Sequence, residues 1–211
     1  MGRHRLPRAY RALLDRPGLR LAAAYRSQGH GATIEACIHY LMLDEENDVR
    51  RLVGKAKINP PLRSRCEGDA LWHHLAAGNV TIISSDHVSW SEDRKSDPNM
   101  LKNASVVPGL EVLCALLLKG LDERRLPLTC AARLLAHNPA SLFRIARQKG
   151  ALAVGRDADI VLMRRDPRVY RASDSGNNFA SFLRGECVFA DGRVVAEPGH
   201  GRFVRPRLPA H

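Results

Sequence analysis

No apolar run in these 211 residues approaches the ~18 that a spanning helix requires, and Leu116 to Leu118 is followed at once by Lys119. A membrane partner is therefore not expected. The five cysteines, at 37, 66, 114, 130 and 187, are odd in number, widely spaced and form no C-x-x-C pair. That pattern excludes a disulfide framework and reads as reduced core residues of a cytoplasmic protein. Acids are scarce at both ends: residues 1–26 carry seven Arg against Asp15 alone, and residues 200–211 add Arg202, Arg205 and Arg207. Those ends hold +9 of the formal +11, which leaves +2 for everything between. Aromatics make up only 5% of the chain, and no basic stripe interleaved with them crosses the body, so a nucleic-acid partner is not expected. Ser is absent before Ser27, and Pro7 and Pro17 break the apolar pattern, which argues against a transit peptide. Leu21 to Ala24 is too short for a secretory signal. Residues 1–30 read as a basic, poorly specified arm or partial helix.

What is present suits a soluble globular chain, with 45% apolar residues and a length that buries one core and a small second lobe. The organising stretch is Thr81 to Trp90. The β-branched run Val80 to Ile83 predicts a buried strand whose C-terminal end delivers Asp86 and His87. In a parallel α/β sheet or barrel that end carries the chemistry. A carboxylate there can ligate a divalent metal and hold a proton from an activated water. Equally, Asp86 can cap a turn or helix.

Ahead of this stretch, Ala32 to Ile38 has strand character and Asp44-Glu45-Glu46 favours the start of a helix over about 44–53. Lys57 to Arg63 contains Pro60 and Pro61, which fix a rigid non-helical loop. Cys66 to Ala77 reads as a helix with Ala70, Leu71 and Leu75 inward. His73 and His74 on it point ~100° apart, so they cannot share a metal. Ser89 to Val107 predicts a long polar loop without a clear period. From Pro108 the spacing of Leu110, Leu113, Cys114, Leu117, Leu118 and Leu121 predicts a helix. A second helix follows over Thr129 to Ala136, and Asn138-Pro139 opens a third that reaches about Ile145. After Lys149 the pattern turns to strands: Ala158 to Met163, then a hairpin around Asp191-Gly192.

Several segments in order carry a resemblance: Glu35-Ala36-Cys37-Ile38-His39-Tyr40-Leu41, Ile58-Asn59-Pro60-Pro61-Leu62-Arg63, Ser84-Ser85-Asp86-His87, Val107-Pro108-Gly109-Leu110-Glu111, Asn138-Pro139-Ala140, and Lys149 through Val161. Over about residues 28–206 the chain resembles the C-terminal half of the cyclic amidohydrolases, the group of dihydropyrimidinase, hydantoinase, dihydroorotase and allantoinase. The resemblance implies an α/β fold, the C-terminal part of a metal-dependent (β/α)8 barrel with a small appended β-sandwich lobe. With the arm over residues 1–30 and the change of pattern near Gly150, this places the partial barrel, its last strands and helices, over 31–149 and the β lobe with basic tail over 150–211. The implied reaction is hydrolysis of a small cyclic amide or imide by metal-activated water, with zinc as cofactor. Asp86 matches the family's zinc ligand and proton shuttle at the end of the last barrel strand. Asn59 and Ser105 stand where the family binds the ring through backbone atoms, in place of the commoner Ser and Asn.

The departures concern the other donors. The family's metal centre also uses a His-x-His pair, a carboxylated lysine and two further histidines, and this sequence has no His-x-His. A whole barrel takes ~250 residues, whereas about two strands are expected here, and one carboxylate does not hold a catalytic zinc. The β lobe also looks shortened after Asn177-Asn178-Phe179. Two readings follow. In one, the chain is a hydrolase completed by a further polypeptide or a homo-oligomer; in the other, it is a catalytically dead fragment or an interaction module of the same family.

Overall fold

The structure, a computed structural model, describes residues 8–11, 16–163, 178–190 and 192–206, with Arg8–Arg11, Arg16, Asn178 and Phe179 as backbone alone. Residues 1–7 and 12–15 of the expected arm, Asn177 of the expected shortening, Asp191 of the expected hairpin turn and Arg207 of the basic tail lie outside the described residues. The chain divides into two compact units, Met1–Leu135 and Ala136–His211. The change of pattern at Lys149 and Gly150 falls within the second.

The first unit is built on a parallel three-stranded sheet in the order β1 (Arg8–Arg11), β2 (Ala32–Cys37) and β3 (Ile82–Ser84). Parallel neighbours need a crossover. The helix α1 (Arg16–Ser27) lies in the first crossover. The second contains α2 (Ile38–Met42), α3 (Arg50–Leu52) and α4 (Arg65–Ala76), and α5 (Leu113–Glu123) and α6 (Thr129–Ala132) follow β3. β2 buries Ala32, Ile34 and Ala36 at alternate positions, as period-two side chains require. The core gathers Leu19 from α1, Ile34 from β2, Ile38 from α2, Leu71 and Leu75 from α4, and Leu117 and Leu121 from α5. All seven are essentially inaccessible, and each contributes about 1.5–3 kcal/mol of hydrophobic stabilisation. Among the described residues no helix is long and apolar enough to cross a membrane.

Three expectations need correction. The N-terminal arm holds a strand and a twelve-residue helix, so the sheet has three parallel strands rather than two. Pro17 is the second residue of α1, where its missing N–H has no intrahelical partner to lose, so it does not interrupt the helix. The helix expected from Pro108 begins only at Leu113, and Leu110 is 64% exposed. The N–H groups of Gly109 and Leu110 are given to the His87 ring instead. The 89–107 loop contains two short 3-10 turns, Glu92–Lys95 and Met100–Lys102. The helix expected from residue 44 is present but irregular. The Asp44 carboxylate caps it by accepting from the Asn47 N–H at 2.7 Å, and it ends near Val53, whose φ is 45°.

The second unit opens with α7 (Asn138–Leu142), which carries Pro139 in its first turn as expected. It continues into one antiparallel sheet, β4 (Ile160–Met163), β5 (Asn178–Leu183), β6 (Glu186–Ala190) and β7 (Arg193–Val194), in that order. β5 and β6 are joined by Arg184-Gly185, with φ of 52° and 85°, the two left-handed positions that a tight hairpin of matching twist requires. Lys149 lies between Asp157 at 2.7 Å and Asp159 at 2.5 Å. Burial raises the Asp159 carboxyl, but the hydrogen bonds from Lys149 and the Arg184 N–H together outweigh it and hold the group below the usual range. Among the described residues this unit contains a single sheet, and Val161, Leu162 and Met163 on β4 are exposed.

Packing in the first unit leaves no room at Gly120. A Cβ there would meet Trp72 Cη2 at 2.5 Å. Trp72 is pinned by its indole N–H donating to the Leu41 carbonyl at 2.8 Å and by the Arg124 guanidinium 4.2 Å above the ring. Gly120→Ala is therefore expected to lower stability on the order of 2 kcal/mol. An unchanged urea midpoint would show that Trp72 yields freely.

Candidate active site

The site begins with strand register. β2 and β3 pair so that Cys37 stands opposite Ser84. Thr81 fixes that alignment from both sides, its N–H donating to the Ile34 carbonyl at 2.8 Å and its hydroxyl accepting the Ile34 N–H at 3.0 Å. Two residues beyond Cys37 comes His39, in the first turn of α2; two residues beyond Ser84 comes Asp86, with φ of 46°. The Cys37 sulfur, a His39 ring nitrogen and an Asp86 oxygen consequently all lie within 4.8 Å of one another. Only the aspartate is exposed.

His39 is the least ordinary member. It is 4% exposed, and neither Nδ1 nor Nε2 has a hydrogen-bond partner among the described residues. Burial pulls its pKa down to about 4 against the opposing pull of the Asp86 carboxylate, so the ring is neutral at pH 7. Its edge meets Tyr40, the ring centroids 4.1 Å apart. The Tyr40 hydroxyl donates to the Pro60 carbonyl at 2.7 Å, which joins α2 to the proline loop. Burial raises the Tyr40 pKa above its ordinary value.

The other two candidate residues meet each other. Asn59 Nδ2 donates to Ser105 Oγ at 2.9 Å, and Trp90 Nε1 donates to the Ser105 carbonyl at 2.7 Å, leaving that oxygen a second lone pair. Lys95, 6% exposed, holds the two loops together by donating to the carbonyls of Lys57 at 2.8 Å, Ala104 at 3.1 Å and Val106 at 2.7 Å. Lys57 in turn donates to the carbonyls of Leu101 and Asn103 at 2.8 and 2.6 Å. His87, delivered by the same strand as Asp86, has a structural task. Its Nδ1 accepts from the Gly109 and Leu110 N–H groups at 3.1 and 3.2 Å, which leaves its proton on Nε2 facing Ser89 Oγ at 2.8 Å.

Asp86 therefore has two companions, Cys37 and His39, which the sequence alone marks only as a core cysteine and as part of a motif. The signal lay in two neighbouring strand ends that carry Cys-x-His and a carboxylate; what was missing was their pairing. Thiolate, imidazole and carboxylate are all zinc donors, and the unpartnered nitrogens of His39 fit a bound cation. Asp86 thus stands beside a sulfur and an imidazole rather than alone.

Donors at the carboxyl ends of parallel strands, with crossover helices between them, stand where parallel α/β folds bind their ligands. The model of the amidohydrolase family matches residues 10–195. An allantoinase of Rubrobacter xylanophilus is 38% identical over 90% of this chain, and a D-hydantoinase of Ralstonia pickettii is 34% identical over 86%. The chain spans only 45% and 44% of their lengths. The solved L-hydantoinase (dihydropyrimidinase) of Arthrobacter aurescens superimposes with a TM-score of 0.81 at 27% identity, over 93% of this chain and 48% of that one. The chain belongs to the amidohydrolase family.

Two outcomes are expected. Lys95→Met leaves three carbonyls without their donor and should cost on the order of 3 kcal/mol; a thermal midpoint equal to the parent's would contradict the role given to Lys95. For the metal-free chain, His39 is neutral when folded down to about pH 4, whereas in the unfolded chain it takes a proton near 6.5. The unfolded state therefore binds more protons between those values. Stability should be intact above pH 6.5 and fall by on the order of 3 kcal/mol towards pH 4. Urea midpoints of the parent and His39→Leu across this range test it, since the parent should lose more stability than the variant by about that amount, the shared slope of His74 and the lowered carboxylates cancelling.

Proposed function

We propose that the working protein hydrolyses the C–N bond of a small cyclic amide or imide, with zinc as its metal, and that this chain supplies one part of the site. The observation that supports it most is the convergence of Cys37, His39 and Asp86 at two adjacent strand ends in a chain of the amidohydrolase family. Relatives named allantoinase and D-hydantoinase support the substrate class. We assign the parallel strands and helices of the first unit, β1 and α1 included, to the last part of a (β/α)8 barrel and residues 150–211 to an appended β lobe, in a reduced, cytoplasmic setting. A homo-oligomer or a complementing polypeptide would complete it.

The family is generally metal-dependent. A divalent cation, when bound, supplies the Lewis acidity that polarises a ring carbonyl and makes water acidic. Everything else falls to side chains and backbone. Asp86 is the exposed member of its trio and has two oxygens, so one can face the cation while the other takes a proton from the attacking water. As the water oxygen joins the carbonyl carbon and the C–N bond breaks, Asp86 passes that proton to the departing nitrogen. Asn59 and Ser105 hold the ring through backbone atoms of two loops that Lys95 keeps in register. The neutral His39 offers a nitrogen without first losing a proton.

The chain spans less than half the length of these two relatives. A second reading is a catalytically dead fragment or interaction module of the same family. Ring opening of hydantoin, allantoin and dihydrouracil separates the two. The chain assembled with a polypeptide carrying the remaining strands of a hydantoinase is expected to turn over one of these rings, and Asp86→Asn should lower the rate by about 10³-fold. Turnover that ignores Asp86→Asn would remove the aspartate from the mechanism, and no turnover in a well-folded assembly would favour the second reading.

A further inference from the structure

We propose that Cys37, His39 and Asp86 form a cation site of their own, which takes a thiophilic divalent ion of the zinc type through sulfur, one imidazole nitrogen and one carboxylate oxygen. The site deepens the functional reading in sharing Asp86, but Cys37 and His39 are additional to the donors that the family resemblance implies: a His-x-His pair, a carboxylated lysine and two further histidines.

Geometry comes first. A tetrahedral zinc with bonds of ~2.0–2.3 Å holds its donors roughly 3.3–3.8 Å apart. The three donor atoms already share a 4.8 Å envelope, so closing it takes about 1 Å, within reach of small side-chain torsions. The strand register that brings them together is fixed by backbone and by Thr81, so the site needs no rearrangement of the fold. Asp86, the exposed member of the trio, gives a cation access from solvent.

The second observation is His39 itself. A 4% exposed imidazole with both nitrogens unpartnered among the described residues forfeits hydrogen bonds that water would supply. A coordinate bond to one nitrogen accounts for its position; packing alone does not. Donor softness selects the ion. One sulfur, one imidazole and a single carboxylate suit zinc or cobalt and offer too few oxygens for calcium or magnesium. On binding, the sulfur–metal bond replaces the S–H bond and the thiol proton leaves to buffer, with no change of oxidation state. The Ser84 hydroxyl, 3.4 Å from the sulfur, can then donate to the thiolate.

Cobalt titration of the reduced, purified chain tests the site without any substrate. The expected result is saturation near one equivalent, with visible d–d bands and a near-ultraviolet thiolate-to-cobalt charge-transfer band. Cys37→Ser should abolish the charge-transfer band, and His39→Gln and Asp86→Asn should each weaken binding by about tenfold or more. Cys66→Ser and Cys187→Ser, at exposed positions, should change nothing. Because His39→Gln disturbs the core, protection of Cys37 from alkylation by zinc, mapped by mass spectrometry on the parent chain, provides an independent readout. A charge-transfer band that survives Cys37→Ser, one lost in Cys66→Ser or Cys187→Ser, or no protection of Cys37 at saturating zinc would overturn the proposal. Metal binding without ring opening in the assembled protein would leave this site standing while the hydrolase reading failed.

Discussion

The pairing of β2 with β3 is the constraint from which the rest of the first unit follows. Side chains alternate along a strand, so a slip of one residue would turn Ile34 and Ala36 away from the core and carry Cys37 away from Ser84. The penalty for exposing that apolar face, together with the double hydrogen bond between Ile34 and Thr81, leaves one alignment. Function is then a consequence of counting. Two steps past the paired positions, the chain turns on one strand into α2 and on the other into the left-handed Asp86, and the two ends present a buried imidazole and an exposed carboxylate to each other.

A second constraint is polar. The loops that carry Asn59 and Ser105 have no strand ladder, and their carbonyls would point into a protein interior. One ammonium group, Lys95, collects three of them, and the Lys57 ammonium takes two more on the other side. A buried charge is expensive unless its donors are all used, and Lys95 uses three. Burial, more than the nearby Lys57 charge, lowers its pKa. The rigid platform under the Asn59–Ser105 hydrogen bond is thus electrostatic, whereas the platform under Asp86 is apolar.

This contrast explains what could be read in the sequence. The strand ahead of Asp86 and the helix α4 were legible because each is announced by local periodicity. The proline loop was legible because Pro60 and Pro61 fix their own dihedrals. α1 was obscured because its arginines hide a narrow buried stripe of Leu19 and Ala22, while Leu21 faces out. The start of α5 was misplaced because the acceptor that draws the Gly109 and Leu110 N–H groups out of a helix is a histidine more than twenty residues away in sequence. Cys37 and His39 escaped for the same reason: the carboxylate that gives them meaning lies across a strand pairing, and nothing local marks that pairing. Lys95 looked like one more charge in a polar loop, and only its carbonyl partners show why it is buried.

Hydrolase and inert module differ in what they require of His39. A fold kept only for packing gains nothing from an imidazole with two unsatisfied nitrogens in its interior. Leaving such a group unpaired costs about 1–3 kcal/mol out of a total stability that for domains is typically only about 5–15 kcal/mol. The imidazole stands beside a sulfur and a carboxylate whose reach it shares, on strand ends where parallel α/β proteins keep their chemistry. An arrangement that is costly when empty and satisfied when filled is what the proposed cation site requires.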